Sequence, residues 1–393
     1  MKVSTWPYFS REEINNVGFI LDSGKVNYWT GNETKKFEKE FTKFSNTSYS
    51  IALANGSLAL HAAYLSVGLS KGSEFITSPR TFIATTSTGV LLGGIPKFAD
   101  VDLKSGCITA ETIEPLINSK TKAISVVHFG GWPADMESIC RLASSYNIPV
   151  IEDCAQAHGA SIKINGEFKS VGSFGDVAAW SFCQDKIIST GGEGGMISTN
   201  KKIIHDQIWS YKDHGKSLEK VNKKDHPVGF RWLHDDFGTN FRITEIQSAI
   251  GLYQLGKIKE WNQIRTKNAE ILANKLKKLS IVRISLPPEN LRHAWYKFYC
   301  YLNDEALSDG WTRDRIINEI NDQGFPAFHG GCSEIYLEES FKKYGFFPEK
   351  RLKNARKLGE TSLMFLVHPT ITKEQMENYS NLIKEVLIKA TKS

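Results

Sequence analysis

Hydrophobic positions along the chain fall into short β-rich runs that alternate with longer amphipathic stretches. Phe37, Phe41 and Phe44 recur at helical spacing among lysines and glutamates, which predicts a helix over Lys35 to Phe44. Ser57 to Val67 reads as a buried helix carrying small residues. Strand-like runs then come at Glu74 to Thr77, Lys97 to Ala99, Ala123 to Val127 and Pro149 to Ile151, and an amphipathic helix is expected from Asp135 to Tyr146 between the last two. Strand, helix and strand in this order predict a parallel sheet with right-handed crossovers. Val177 to Phe182 and Gly195 to Thr199 are two further strands, separated by a Gly-rich turn. From Ile246 a long helix runs through Ala269 towards Leu279, and Pro287-Pro288 interrupts the stretch after it. A strand over Trp295 to Leu302 and helices over Arg313 to Gln323 and Lys373 to Thr391 complete the chain. The expected class is α/β. A large domain (1–255) carries a mostly parallel mixed sheet flanked by helices, and a smaller α+β domain (256–393) completes it.

Length supports that division, because 393 residues suit two or three domains. With 41% hydrophobic and 23% charged residues, a disordered chain is excluded. The net charge of +6 is mild for this length and gives no nucleic-acid footprint. The lysine pairs at Lys201-Lys202, Lys223-Lys224 and Lys277-Lys278 are short and read as solvated faces. No basic-then-apolar leader and no apolar run of about 18 residues is seen, so neither export nor membrane spanning is expected. Six cysteines without a CxxC pair (Cys107, Cys140, Cys154, Cys183, Cys300 and Cys332) suit reduced, packed thiols. The expectation is a soluble, cytoplasmic protein. Histidines lack zinc-ligand spacing with other ligands, so no metal site is expected.

The window from Ile148 to Asn200 carries the chemistry. Asp153 closes the apolar run Ile148 to Ile151, at the carboxyl end of a strand, where ligands bind in open α/β sheets. Lys186 lies just past the apolar strand Ala178 to Phe182, and the glycine cluster Gly191 to Gly195 comes after it. Small, apolar surroundings desolvate an ammonium and favour its reactive neutral form. A carboxylate on a neighbouring strand can keep a pyridine nitrogen protonated, and lysine plus acid is the binding logic of pyridoxal phosphate (PLP). A glycine-rich loop can also cradle a nucleotide phosphate, but neither GxxxxGK[ST] nor GxGxxG after a strand is present. A second window, Ala54 to Leu60, enters a helix: Gly56 permits close approach, Ser57 offers a hydroxyl, and the helix N-terminus favours an anion. Phe82 comes after another strand and can stack on an aromatic cofactor.

These segments resemble the fold-type I, PLP-dependent sugar-nucleotide aminotransferases of the DegT/DnrJ/StrS type. The resemblance runs from Gly24 to Gly31 through NGSLAL, TFIAT, IEDCAQAHG, SFCQDK, GGEGGM and Gly238 to Arg242, and on to His368-Pro369. It implies that Lys186 bonds to the cofactor and shuttles the proton, that Asp153 pairs with the pyridine nitrogen, and that Gln156 sits by the phenolic oxygen. It further implies that Phe82 stacks on the ring and that Gly56, Ser57 and Ser181 hold the phosphate. Asn240 would reach in from the other subunit of a homodimer. Two departures stand out. Cys183-Gln184-Asp185-Lys186 replaces a common His-Pro-Thr-Lys, and Phe328 to Tyr336 stands where many members show His-Tyr-x-Pro-x-His. Cys183 is read as a packed thiol.

The implied reaction moves an amino group from glutamate to C4 of a dTDP- or UDP-linked 4-keto-6-deoxy sugar, for O-antigen or other surface polysaccharide synthesis. C3 of a dTDP-keto sugar is the enzymatic alternative, and a non-catalytic PLP-binding regulator is the alternative of another class. Lysine at 186 favours transamination over the related sugar dehydratases, which use histidine there. His214 and His293 lie where such a family approaches its sugar nucleotide, and Trp29 and His329 are further substrate-binding candidates.

Overall fold

The computed structural model describes residues 3–223, 225 and 228–392, so Lys224 of the lysine pairs lies outside the described residues. The other five paired lysines are exposed. Helices α1 (Arg11–Ser23) and α2 (Glu33–Ser45) precede β1 (Tyr49–Leu53). Next come α3 (Gly56–Ser66), β2 (Glu74–Thr77), α4 (Ala84–Leu91), β3 (Ile95–Phe98), α5 (Ala110–Ile113), β4 (Thr121–Val127), α6 (Met136–Ser145) and β5 (Val150–Asp153). Strands β6 (Ser161–Ile164) and β7 (Glu167–Ser170) form a hairpin, and β8 (Val177–Ser181) and β9 (Gly195–Thr199) return to the main sheet. That sheet has seven strands in the order β1-β9-β8-β5-β4-β2-β3. Its pairs from β3 to β8 are parallel, and β9 runs antiparallel between β1 and β8. The mostly parallel mixed sheet is therefore present. Its inner strands are buried throughout, as parallel strands covered on both faces must be.

Local chemistry explains the elements. On α2, Phe37 and Phe41 are fully buried and pack against Phe182 and Trp180 respectively, with ring centroids 5.4 and 5.2 Å apart. Helix α6 starts where Asp135 accepts a hydrogen bond from the Ser138 amide at 3.2 Å. Helices α7 (Lys202–Tyr211) and α8 (Leu218–Asn222) lead to α9 (Glu245–Leu276). A capping box opens α9: the Thr244 hydroxyl accepts from the Gln247 amide, and the Gln247 side chain accepts from the Thr244 amide.

Beyond α9, β10 (Val282–Ile284), β12 (Phe298–Leu302), β13 (Ala327–Phe328) and β14 (Ser362–Phe365) form a second, antiparallel sheet, while the short β11 (Leu291–Arg292) joins β6. Helices α10 (Arg313–Asp322), α11 (Glu339–Tyr344), α12 (Lys353–Thr361) and α13 (Lys373–Lys389) accompany it. The strand expected from Trp295 begins only at Phe298, because Trp295 has φ 49°, a left-handed conformation no strand accepts. The division we propose near residue 255 falls inside α9. Its far half supplies Ala269, Leu272, Ala273 and Leu276 to the core under the second sheet, and Val3 from the start of the chain is buried there too. No helix of the described residues is long and apolar enough to cross a membrane.

Candidate active site

The carboxyl ends of β4, β5 and β8 and the start of α3 surround a cavity of about 1140 Å³. Asp153 ends β5, almost fully buried. Its carboxylate accepts from the Thr85 hydroxyl at 2.7 Å and from the Ala155 amide at 3.1 Å. Burial drives this carboxyl above its ordinary range, against those hydrogen bonds and the nearby Lys186. A buried acid of this kind is best matched by a cationic ring nitrogen.

Helix α3 begins with Asn55 as its cap, whose side chain accepts from the Leu58 amide at 2.9 Å. The amides of Gly56 and Ser57, in the first turn, have no helical partner and open on the cavity. Two glycines allow this placement. A Cβ on Gly56 would lie 2.5 Å from the Ser181 Cβ, and one on Gly195 would lie 2.3 Å from the Asn55 carbonyl oxygen. Ser181 ends β8 beside them and lines the same cavity. This cradle suits a phosphate.

Phe82 is 68% exposed and lines the cavity, where its ring is available for stacking. Gln156 accepts from the Gly130 amide at 2.7 Å, which fixes its amide group at the cavity wall. Lys186 lies in the turn after β8, its amine 3.6 Å from Asp185 and 5.1 Å from the centroid of Tyr296. The Tyr296 hydroxyl donates to Asp185. Burial alone would raise the Asp185 carboxyl, but Lys186, the Tyr296 hydroxyl and Lys297 outweigh it and hold it below the usual range. The residues present thus fit PLP: a phosphate cradle, a buried acid, a stacking ring and an amine.

The structure gathers Gly56, Ser57, Phe82, Asp153, Gln156, Ser181 and Lys186 around one cavity. Asn240 is exposed, outside its own chain's cavity, with its side chain accepting from the Arg242 amide. Trp29 packs edge-on against Tyr28 and beneath Lys216, and His214 is exposed with φ 62°. Neither touches the cavity. His293 accepts from the Trp295 amide, stacks on Trp295 at 4.1 Å, has its pKa lowered by burial to about 3, and does not line the cavity. His329 is exposed beside Phe328 and Gly330, which do line the cavity. Cys183, expected as a packed thiol, is half-buried on the cavity wall instead, because the turn carrying Lys186 leaves the end of β8 at that point.

Sequence reasoning missed Asp185, Tyr296, Lys297 and Tyr299 as lining residues. It also missed a grouping of His128, Glu152 and Cys154, whose ligand atoms lie within 4.8 Å of one another. Those of Glu152 and His128 are already committed. Glu152 accepts from three backbone amides (Gly172, Phe174 and Gly175) and faces His128 Nε2 at 3.0 Å, while His128 Nδ1 accepts from the Ala134 amide. The grouping therefore fastens β4 and β5 to the loop before β8.

The sequence profile of the DegT/DnrJ/EryC1/StrS aminotransferase family matches residues 7–384. The chain belongs to that family. It is a PLP-dependent sugar aminotransferase with the fold-type I architecture. GDP-perosamine synthase of Escherichia coli O157:H7 is 35% identical over 370 residues, covering 94% of each chain. The solved structure of an aminotransferase from Psychrobacter cryohalolentis is 46% identical, superposes with a TM-score of 0.96 and covers 99% of both chains. NtdA from Bacillus subtilis, solved with its cofactor PMP, shares the fold at 24% identity with a TM-score of 0.81, covering 98% of this chain and 86% of its own.

Proposed function

We propose that this aminotransferase takes its amino group from glutamate and delivers it to C4 of a nucleotide-linked 4-keto-6-deoxy sugar. The nucleotide proposed is dTDP or UDP, and the product serves O-antigen or another surface polysaccharide. The observation that carries this reading is the cavity's size. At about 1140 Å³ it exceeds the roughly 300–1,000 Å³ of ordinary ligand pockets, so it can hold a cofactor and a second large ligand together. Lys186, Asp153, Phe82 and the α3 cradle occupy one part of its lining, which leaves the remainder for the sugar nucleotide.

In this reading the cofactor supplies the electron sink. Lys186 would hold the cofactor and, once freed, would move one proton at the substrate carbon. Asp153 would hold the ring nitrogen, and the amides of Gly56 and Ser57 with Ser181 would anchor the phosphate. Purified, PLP-loaded protein should be yellow, bleach with L-glutamate, and regain colour with the correct keto sugar. A panel of UDP-, dTDP- and GDP-linked 4-keto and 3-keto sugars, with NMR of the product, assigns the carbon; the name of the E. coli relative justifies the GDP arm. Amination at C3 overturns the C4 assignment, and colour that ignores glutamate favours a regulator.

We also propose a cytoplasmic homodimer with shared sites. Phe230, Trp232 and Phe237 stand 72%, 82% and 96% exposed in the segment leading to Asn240, an apolar surface that a second copy would cover. Dimers that combine Asn240→Ala on one chain with Lys186→Ala on the other restore one intact site if Asn240 serves its partner. Activity no higher than that of Asn240→Ala alone rejects the shared site.

A further inference from the structure

Lys297 is a cation whose only opposite charge, Asp185, acts on it without a close ion pair. Its ammonium makes no hydrogen bond or ion pair among the described residues, yet its side chain lines the cavity. It lies 4.8 Å from the centroid of Tyr296, the ring that Lys186 also faces at 5.1 Å, so both amines share one corner of the site. The carboxylate that could answer it, Asp185, is engaged by Lys186 and by the Tyr296 hydroxyl. Arg265, fully buried next to this corner, donates to the carbonyls of Trp295 and Tyr296 and adds a third positive charge. The charges acting on Lys297 are therefore one carboxylate, Asp185, and two cations, Lys186 and Arg265, which leaves the corner with excess positive charge.

We propose that Lys297 receives a carboxylate of the amino-acid donor. This rests on the reading that the donor is an amino acid. For Lys186 to move a proton at the donor's α-carbon, that carbon must lie beside the Lys186 nitrogen, and the α-carboxylate is one bond further on. A cation in the same corner is where that group arrives. The sugar has no such need there, since the atoms flanking its reacting carbonyl are uncharged. Burial holds the Lys297 ammonium down to about 8, with Arg265 and Lys186 acting in the same direction against Asp185, as expected of a cation awaiting an anion.

The two half-reactions separate this proposal from the assignment of the donor. With PLP-loaded Lys297→Met, the L-glutamate concentration that half-bleaches the cofactor should rise about 10- to 100-fold, the worth of one charged hydrogen bond. The KM for the keto sugar should rise far less, and Lys297→Arg should recover most of the donor affinity. Calorimetry with glutarate on the cofactor-free protein gives a second readout: binding to wild type and to Lys297→Arg, and a drop of about tenfold or more with Lys297→Met. Equal glutamate and glutarate affinities in wild type and Lys297→Met overturn the proposal. Wild-type protein that ignores every amino acid overturns the donor reading instead.

Discussion

On the wall built by the seven-stranded sheet, four polar side chains that shape the cavity have internal partners. Asp153 holds Thr85, Gln156 holds the Gly130 amide, Asn55 caps Leu58, and Ser181 accepts from the Cys183 amide at 3.4 Å. On the wall built by the second sheet and its loops, Tyr299 accepts from the Gly331 amide at 3.1 Å, but Lys297 has no polar partner among the described residues. The first wall is pre-set for a ligand that stays. The second keeps charge in reserve for a ligand that exchanges, and a transaminase needs both, because two substrates visit one resident cofactor in turn.

That contrast can be attacked most directly at Lys186. Lys186→Ala should abolish turnover, by about 10⁴-fold or more, since it removes the general base at the reacting carbon. The cradle at Gly56, Ser57 and Ser181 is untouched, so the variant should still bind PLP, without the visible absorbance of the lysine-bound form. Near-wild-type turnover would move the chemistry elsewhere. Asp153→Asn should be next, with a loss of about 10²- to 10³-fold, the lower part of the range for a misplaced protonation. Asparagine keeps the shape and the bond to Thr85, so the circular dichroism spectrum should not change. If rates stay near wild type, the resident wall is not tuned to a cationic ring.

How far the sequence was legible tracks the same division. The parallel strands appear as apolar runs and α2 as a phenylalanine stripe, because burial on both faces or on one stripe leaves a periodic trace. Asp153, Lys186 and the Gly56 turn were readable because each sits at a fixed offset from such a run. The hairpin of β6 and β7 was missed, although Asn165 and Gly166, at φ 50° and 89°, form the Asn-Gly turn that marks two-residue hairpins. Lys297 was illegible for another reason. It comes to Lys186 only through the packing of residues 295–299 against the turn after β8, a contact between segments about 110 residues apart in sequence, which no local pattern records. Trp29, His214 and Asn240 lie outside their own chain's cavity, and no local pattern in the sequence separates them from the residues that line it.

A smaller effect tests the phosphate end of the resident wall. Gly56→Ala places a methyl 2.5 Å from the Ser181 Cβ, so α3 must move away from the end of β8. Overpacking of this sort costs about 1–3 kcal/mol. The expected result is a lower melting temperature and weaker PLP retention in dialysis, with the donor specificity of the reloaded enzyme unchanged. Retention equal to wild type would mean that the cradle is built by other groups.

The smallest predicted effect reaches the exchanging wall through pH. The groups facing Lys297 are Asp185, Lys186, Tyr296, Arg265 and His368. Asp185 is held below the usual carboxylate range, Tyr296 is pushed well above the usual phenol range by burial and Asp185, and burial takes His368 to about 3. None of these three changes charge between about pH 7 and 9. The Lys297 ammonium, lowered by burial to about 8, is mostly charged at about pH 7 and mostly neutral at about pH 9. An anion that needs this charge should therefore bind well below about pH 8 and lose affinity above it, by about tenfold for each further unit. Glutarate is the suitable probe, because it has no amine to titrate in this window. Inhibition of the PLP-loaded enzyme by glutarate should weaken from about pH 7 to 9 in wild type and remain level in Lys297→Arg, whose guanidinium stays charged. Because the arginine variant retains Lys186, Arg265 and every other titrating group, the difference between the two profiles belongs to residue 297. Parallel profiles would assign the pH dependence to another group and leave Lys297 as packing along Tyr296.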